Sequence, residues 1–258
     1  MSLRKIVILV TLLISAFVIT GWVLNIVSLY LLIPVLLIYT IINILGSVKI
    51  QWNYFIRSFN KAETEDKIIA ITFDDGPDEM VTSQLLKILD KHNAKATFFC
   101  IGSKVDHNKA IVESIINKGH IIGNHSFFHA NYFDLLSSER MMKEIELTNN
   151  DIYKITGVKP LLFRPPFGVT NPPLRKALNN TGMTSVGWSL RTFDTVKGPD
   201  QVLEKIKNNT LPGDIVLFHD TLEYIPQVVD KYLDWIKEQG WKIVGLDKLL
   251  NIQVYEEQ

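Results

Sequence analysis

The chain has 258 residues with 27 basic and 27 acidic side chains, so neither sign of charge dominates and nothing points to a nucleic-acid or other polyanion partner. Its single cysteine, Cys100, excludes an intrachain disulfide and leaves the redox compartment undecided. The even balance conceals an asymmetry, because residues 6–48 contain no Asp, Glu, Lys or Arg at all.

That uncharged run is roughly twice the ~20 residues a helix needs to cross a bilayer. Gly21-Trp22 through Asn25 reads as a tight turn inside it, which predicts two membrane helices, near 6–22 and 27–47, and a lipid bilayer as partner through residues 6–47. A cleaved signal peptide rivals the first span, and a buried soluble hairpin rivals both. Arg4 and Lys5 precede the first span, while Lys49, Arg57 and Lys61 follow the second. The positive-inside rule therefore places both ends in the cytoplasm. Residues 49–65 open with Gln51-Trp52-Asn53-Tyr54-Phe55 and turn polar, as an interfacial anchor and linker would. The expected division is a membrane-anchoring hairpin over 1–48, this segment over 49–65, and a catalytic domain over 66–258.

From Asp66 onward, short apolar runs alternate with amphipathic ones. Strands are predicted at 68–73, 96–101, 120–124, 160–164, 184–189, 214–219 and 242–246. Helices are predicted near 79–92, 107–118, 137–156, 172–180, 199–208 and 225–239. Such alternation implies an α/β domain with a parallel sheet, and seven strands in under 200 residues suit a small or incomplete (β/α)7 barrel, with a doubly wound open sheet as the alternative. Either architecture gathers functional groups at the carboxyl ends of the strands.

Those ends are rich in chemistry. The first strand stops on Asp74-Asp75-Gly76-Pro77. Two adjacent carboxylates in a closed site need a cation or a raised pKa, although Asp-Gly-Pro also serves as plain turn chemistry with Asp75 capping a helix near Glu79. The third strand leads into Asn124-His125-Ser126-Phe127-Phe128-His129. Its two imidazoles stand four residues apart, and on a helical turn they would share one face and one cation. The fourth ends in Arg164-Pro165-Pro166-Phe167-Gly168, a guanidinium beside a stiff, irregular backbone. The fifth ends in Trp188-Ser189-Leu190-Arg191-Thr192-Phe193-Asp194, and the sixth in Leu217-Phe218-His219-Asp220. Each piece alone has a structural explanation: a chance histidine pair, a rigid loop, a core tryptophan, a satisfied histidine. Their joint placement at five strand ends does not.

Over about residues 66–250 these motifs resemble, in order, the polysaccharide deacetylases with a NodB-like homology domain, carbohydrate esterase family 4. Thr72-Phe73-Asp74-Asp75-Gly76 is similar to the family's first motif, which implies Asp74 as general base and Asp75 as metal ligand. His125 and His129 match the second and would complete a Zn²⁺ site, or one for another divalent metal. Arg164-Pro165-Pro166-Phe167-Gly168 resembles the third, implying that Arg164 orients the base and that the Phe167 backbone N–H helps hold an oxyanion. Leu217 and His219 match the fifth, as an apolar wall for the acetyl methyl and a general acid. Asp194 falls where the acid-orienting carboxylate is expected, whereas Arg191 and Thr195 depart from the fourth motif beside it. Trp188 is a further candidate for lining the sugar site.

The resemblance implies a metal-dependent hydrolase that removes N-acetyl groups from a glycan: peptidoglycan, a chitooligosaccharide-like chain or a lipid-linked sugar. Two alternatives stay open, hydrolysis of another non-peptide C–N bond and a glycan-binding membrane protein without turnover. Simultaneous presence of a base and an acid argues against the last.

Overall fold

The computed structural model describes residues 2–257. Two helices open the chain, α1 (Leu3–Val23) and α2 (Leu32–Val48), the second extended backward by a 3-10 turn at Leu29–Leu31. Both stretches are long and apolar enough to cross a membrane, with mean hydropathies of 2.6 and 2.3, and almost nothing in them is buried. A core helix of a soluble protein would be covered; these are bare. They turn at Asn25, which takes a positive φ of 58°, and pack on each other. The Arg4 guanidinium sits 5.2 Å from the Phe55 ring, so the start of α1 and the chain beyond α2 meet at one end of the hairpin.

Strands and helices then alternate: β1 (Ile68–Asp74), α3 (Val81–Lys91), β2 (Ala96–Cys100), α4 (Gly102–Val105), α5 (Lys109–Asn117), β3 (Ile121–Asn124), α6 (Ser138–Thr156), β4 (Leu162–Phe163), α7 (Pro172–Thr181), β5 (Thr184–Ser185), β6 (Leu190–Arg191), α8 (Pro199–Asn209), β7 (Ile215–His219), α9 (Ile225–Glu238), β8 (Lys242–Ile243) and α10 (Leu246–Leu250). Every strand pairing is parallel, and the order across the sheet is β5-β4-β3-β2-β1-β7-β6, with β8 joining the start of β1. This is the expected α/β architecture of an incomplete (β/α)7 barrel. The central strand β1 is buried along nearly its whole length, with Phe73 stacked between Phe98 and Phe218 at centroid distances of 5.0 and 5.8 Å.

The run predicted as one strand over 184–189 is cut short at Ser185, and a separate strand begins only beyond it, at Leu190. Its first part, β5, pairs with β4, and the chain then crosses the open side of the barrel to lay β6 against β7. At the crossing, the carbonyls of Val186 and Gly187 accept hydrogen bonds from the Arg164 side chain. The strand over 160–164 is similarly cut to two residues, because Pro160 and Pro165 have no N–H to give a ladder.

Residues 50–62 pack on the domain. Ile50, Tyr54 and Ile56 are buried, while Trp52 is exposed. Phe59 bridges Val186 and Lys61 bridges Asp214, so this segment lies in the gap between β5 and β7. The end of α2 is drawn in with it: a Cβ on Gly46 would stand 2.5 Å from the Tyr54 ring, so only glycine permits that approach.

Candidate active site

Register brings the first groups together. β1 and β7 pair with Thr72 beside Leu217 and Asp74 beside His219, about 4.8 Å apart as neighbouring strands must be. Thr72 and Asp74 point to the same face of β1, two residues apart. On the far side, β2 sets Cys100 beside Asn124, and the Arg164 N–H donates to the Asn124 carbonyl, carrying the third and fourth strand ends to the same rim.

A cavity of about 190 Å³ opens there. Asp74, Asp75, His125, His129, Phe167, Trp188, Leu217 and His219 all line it, together with Arg191 and Thr195. Two residues expected at the site are absent from its wall, Arg164 and Asp194. They stand behind it, each holding one of the lining groups.

Arg164 is fully buried. Its Nη1 donates to Asp74 Oδ1 at 2.7 Å and to Thr72 Oγ1 at 2.8 Å, Nη2 donates to the Gly187 carbonyl at 2.8 Å, and Nε to the Val186 carbonyl at 3.3 Å. The guanidinium also lies 4.1 Å from the Phe99 ring centroid. A buried charge is tolerated only when paired and hydrogen-bonded, and here every face of the group is occupied. One oxygen of Asp74 is thereby tied down, and Oδ2 remains, 3.8 Å from His125 Nε2.

Asp194 holds His219 with both oxygens. Oδ1 meets the ring Nδ1 at 2.8 Å, and Oδ2 accepts from the His219 backbone N–H at 2.8 Å. Tyr224 Oη donates to the Asp194 carbonyl, anchoring the loop from below. Burial alone would lower the His219 pKa, but the hydrogen bond and charge of Asp194, reinforced by Asp74 and Asp75, push it up to about 9. The ring is therefore protonated at neutral pH, with Nε2–H left to donate.

Between these two groups lies a cluster of one carboxylate and two imidazoles. Asp75 Oδ1 is 3.5 Å from His125 Nε2 and 3.4 Å from His129 Nε2. Ligand atoms about 2.0–2.1 Å from a common tetrahedral cation stand about 3.4 Å apart, so these three fit one ion. His125 Nδ1 donates to the Arg164 carbonyl at 2.8 Å, which fixes the tautomer that leaves Nε2 free to ligate. Burial, aided by the charge of His125, lowers the His129 pKa to about 4, so its ring is neutral. At Asp75 burial would raise the pKa, but His125, His129 and His219 together hold the carboxyl well below the usual range.

The two histidines do not share a helical turn. Residues 125–132 form a loop in which Ser126 and His129 have positive φ of 62° and 49°, and the rings meet at 4.7 Å through that backbone. Nor does Asp75 cap the following helix. Asp78 does, its Oδ1 accepting from the N–H groups of Met80 and Val81. Of the nine non-glycine residues with positive φ among the described residues, four are Asn, which tolerates that region, and lie away from the site. The other five, Asp75, Ser126, His129, Phe167 and Phe193, carry or border it. Such conformations cost on the order of 1–3 kcal/mol each and persist where surroundings impose them.

The surroundings that impose them were not foreseen from sequence. Glu144 on α6 accepts from the N–H groups of both Phe127 and Phe128, and Asn124 Oδ1 accepts from the Ser126 N–H. Lys104 Nζ donates to the Asp75 carbonyl. Gly168, with φ of 69°, leaves no room for a Cβ, which would stand 2.4 Å from Trp188. Only Thr72 carried a signal, as a polar residue on the Asp74 face of an otherwise apolar strand.

The sequence profile described as polysaccharide deacetylase matches residues 61–186. The peptidoglycan-N-acetylglucosamine deacetylase of Bacillus cereus is 37% identical over 191 residues, covering 72% of this chain and 89% of that protein. Among solved structures, the Bc1960 peptidoglycan N-acetylglucosamine deacetylase superposes with a TM-score of 0.72 at 29% identity, over 76% of this chain and 94% of that one. A protein of Bacillus anthracis described as a family pseudoenzyme superposes nearly as well, with a TM-score of 0.70 at 28% identity over 77% and 71% of the two chains.

Proposed function

Because the chain belongs to the polysaccharide deacetylase family and is an enzyme of that class, we propose that it is a membrane-anchored, Zn²⁺-dependent hydrolase of the N-acetyl groups of a glycan. The observation that carries this reading is the pairing of two preset proton carriers across one cation cluster: Asp74 held by Arg164, and His219 held by Asp194. A pseudoenzyme of the same fold makes such groups, and not the fold, the evidence for turnover.

Asp75, His125 and His129 would hold the ion. When bound, it supplies Lewis acidity toward the acetyl carbonyl and the attacking water. Asp74 accepts the water's proton at Oδ2, since Oδ1 is engaged by Arg164. The Phe167 backbone N–H stabilises the developing oxyanion, a contribution of about 3 kcal/mol where such donors have been removed. Leu217 and Trp188 shape the apolar pocket for the acetyl methyl and the sugar. His219 Nε2–H protonates the departing amine, and Asp194 stabilises the ring that carries the proton. The hairpin of residues 1–48 anchors the domain with its charged ends on the cytoplasmic side, residues 49–65 strap it to the barrel, and 66–258 form the catalytic domain.

The test is acetate release from N-acetylglucosamine oligomers by the Zn²⁺-loaded protein, wild type against Asp74→Asn. The substitution is expected to keep fold and metal while lowering kcat at least ~10²-fold, the scale of positioned acid–base catalysis. Equal release by the two proteins would remove Asp74 as base.

A further inference from the structure

The divergent residues beside the acid have a place in the structure. Arg191 leaves the end of β6, with its guanidinium 6.0 Å from the Trp188 ring and 5.1 Å from the Phe193 ring. It lines the catalytic cavity on one side and, with Trp188, a second groove of about 440 Å³ on the other. That groove runs to Val48 and Lys49 at the end of α2, and Lys205, 5.2 Å from the Phe193 ring, lines it as well. Lys61 is also present but is paired with Asp214 at 3.1 Å. Among the described residues, Lys49, Arg191 and Lys205 have no carboxylate within ion-pair distance. Three unpaired cations thus share one concave channel, which favours an anionic occupant.

The channel begins where the apolar helix ends. Ser47 Oγ donates to the Thr170 carbonyl at 2.7 Å, and the Thr170 N–H donates back to the Ser47 carbonyl at 2.9 Å. The tip of α2 is therefore fastened to the loop that carries Phe167 and Gly168, and the catalytic mouth is held beside the point where the chain would leave a bilayer. Phe167, which lines that mouth, is 53% exposed, and Phe128, the neighbour of His129 in the chain, is 64% exposed. Such a rim suits a site that works against a lipid surface.

We propose that this groove seats the phosphate of a membrane-tethered substrate, so that the enzyme acts on an N-acetylated sugar joined through phosphate to a lipid. The inference deepens the deacetylase reading and rests on it. The sugar's acetamide lies at the Asp75, His125 and His129 cluster, the phosphate between Arg191, Lys205 and Lys49, and the lipid along the exit of α2.

The experiment uses the full chain in phosphatidylcholine vesicles, with two substrates: an uncharged N-acetylglucosamine oligomer and N-acetylglucosamine linked by diphosphate to a polyprenol. Wild type is compared with Lys49→Ala/Lys205→Ala, which breaks no ion pair. The expected result is a KM for the diphosphate-linked substrate that rises at least tenfold in the variant, with kcat and the oligomer's KM unmoved. A KM unchanged for both substrates, or raised equally for both, overturns the inference. So does a wild-type KM for the diphosphate-linked substrate that rises to the variant's on adding phosphatidylglycerol, since the groove would then be a site for bulk lipid headgroups. Wild type releasing acetate from neither substrate overturns the deacetylase reading itself, a result distinct from the other three.

Discussion

Asp194→Asn removes a charge and leaves a side chain of the same shape against His219. In the wild type, the rise of the ring pKa from 6.5 to about 9 corresponds to roughly 3 kcal/mol of preference for the protonated form. Burial opposes that rise, and the Asp194 hydrogen bond and charge lead the groups that produce it, ahead of Asp74 and Asp75. A cation bound at Asp75 offsets that residue's small share. With the Asp194 charge gone, only the weaker influence of Asp74 and Asp75 opposes burial, and the ring should titrate at or below its ordinary 6.5. An acid must be protonated to serve, so activity is lost as pH rises through the pKa. The alkaline limb of kcat/KM for acetate release should therefore fall near pH 9 in wild type and near or below 6.5 in Asp194→Asn. At pH 8 the change in protonated fraction alone lowers the rate roughly 30-fold, and at pH 5.5 much of it returns. The assay is a pH–rate profile on an N-acetylglucosamine oligomer with Zn²⁺ held constant. An alkaline limb that stays near pH 9 in the variant would refute His219 as the acid set by Asp194.

The sequence carried the parts of this site that repeat at fixed spacing: the strand-end acids, the two histidines, the Arg-Pro-Pro stretch and Leu217-Phe218-His219. Each belongs to a short segment whose periodicity and turn residues mark it locally. What sequence did not carry is the machinery that acts across distance. Glu144 holds the histidine loop, but 17 residues separate it from Phe127, and an acidic residue on an amphipathic helix looks like any solvated one. The same holds for Val186 and Gly187, whose carbonyls are taken by Arg164 just where the predicted strand breaks off. The segment over 49–65 reads as polar and aromatic, yet Ile50 and Ile56 are sunk in two different apolar clusters. Their spacing of six fits no helix face, and the strand-like alternation of Ile50, Trp52, Tyr54 and Ile56 misleads, since the segment forms no strand and Trp52 is exposed while the other three are buried.

Two further perturbations separate binding from positioning. Asp75→Ala leaves two imidazoles for the ion, and elemental analysis after dialysis should find about one Zn²⁺ in the wild type and little in the variant. Retention of a full equivalent would place the ion elsewhere. Arg164→Met tests whether the buried guanidinium is what makes a buried Asp74 tolerable. The substitution orphans two carbonyls and leaves the Asp74 carboxylate without its 2.7 Å partner. Removing one member of such a pair typically costs 3–5 kcal/mol, so urea unfolding of the metal-free protein should show a loss of that order. Neutralising the stranded charge should return part of it, making Arg164→Met/Asp74→Asn more stable than the two single losses added together. Arg164→Lys keeps the charge but offers one point in place of a planar fork, and one ammonium cannot reach both Asp74 and the two carbonyls of the crossing segment. It should therefore recover little of either stability or acetate release. Strict additivity in the double variant would mean that the two side chains stand side by side without depending on each other, and the assignment of Arg164 as the residue that sets the base would fail.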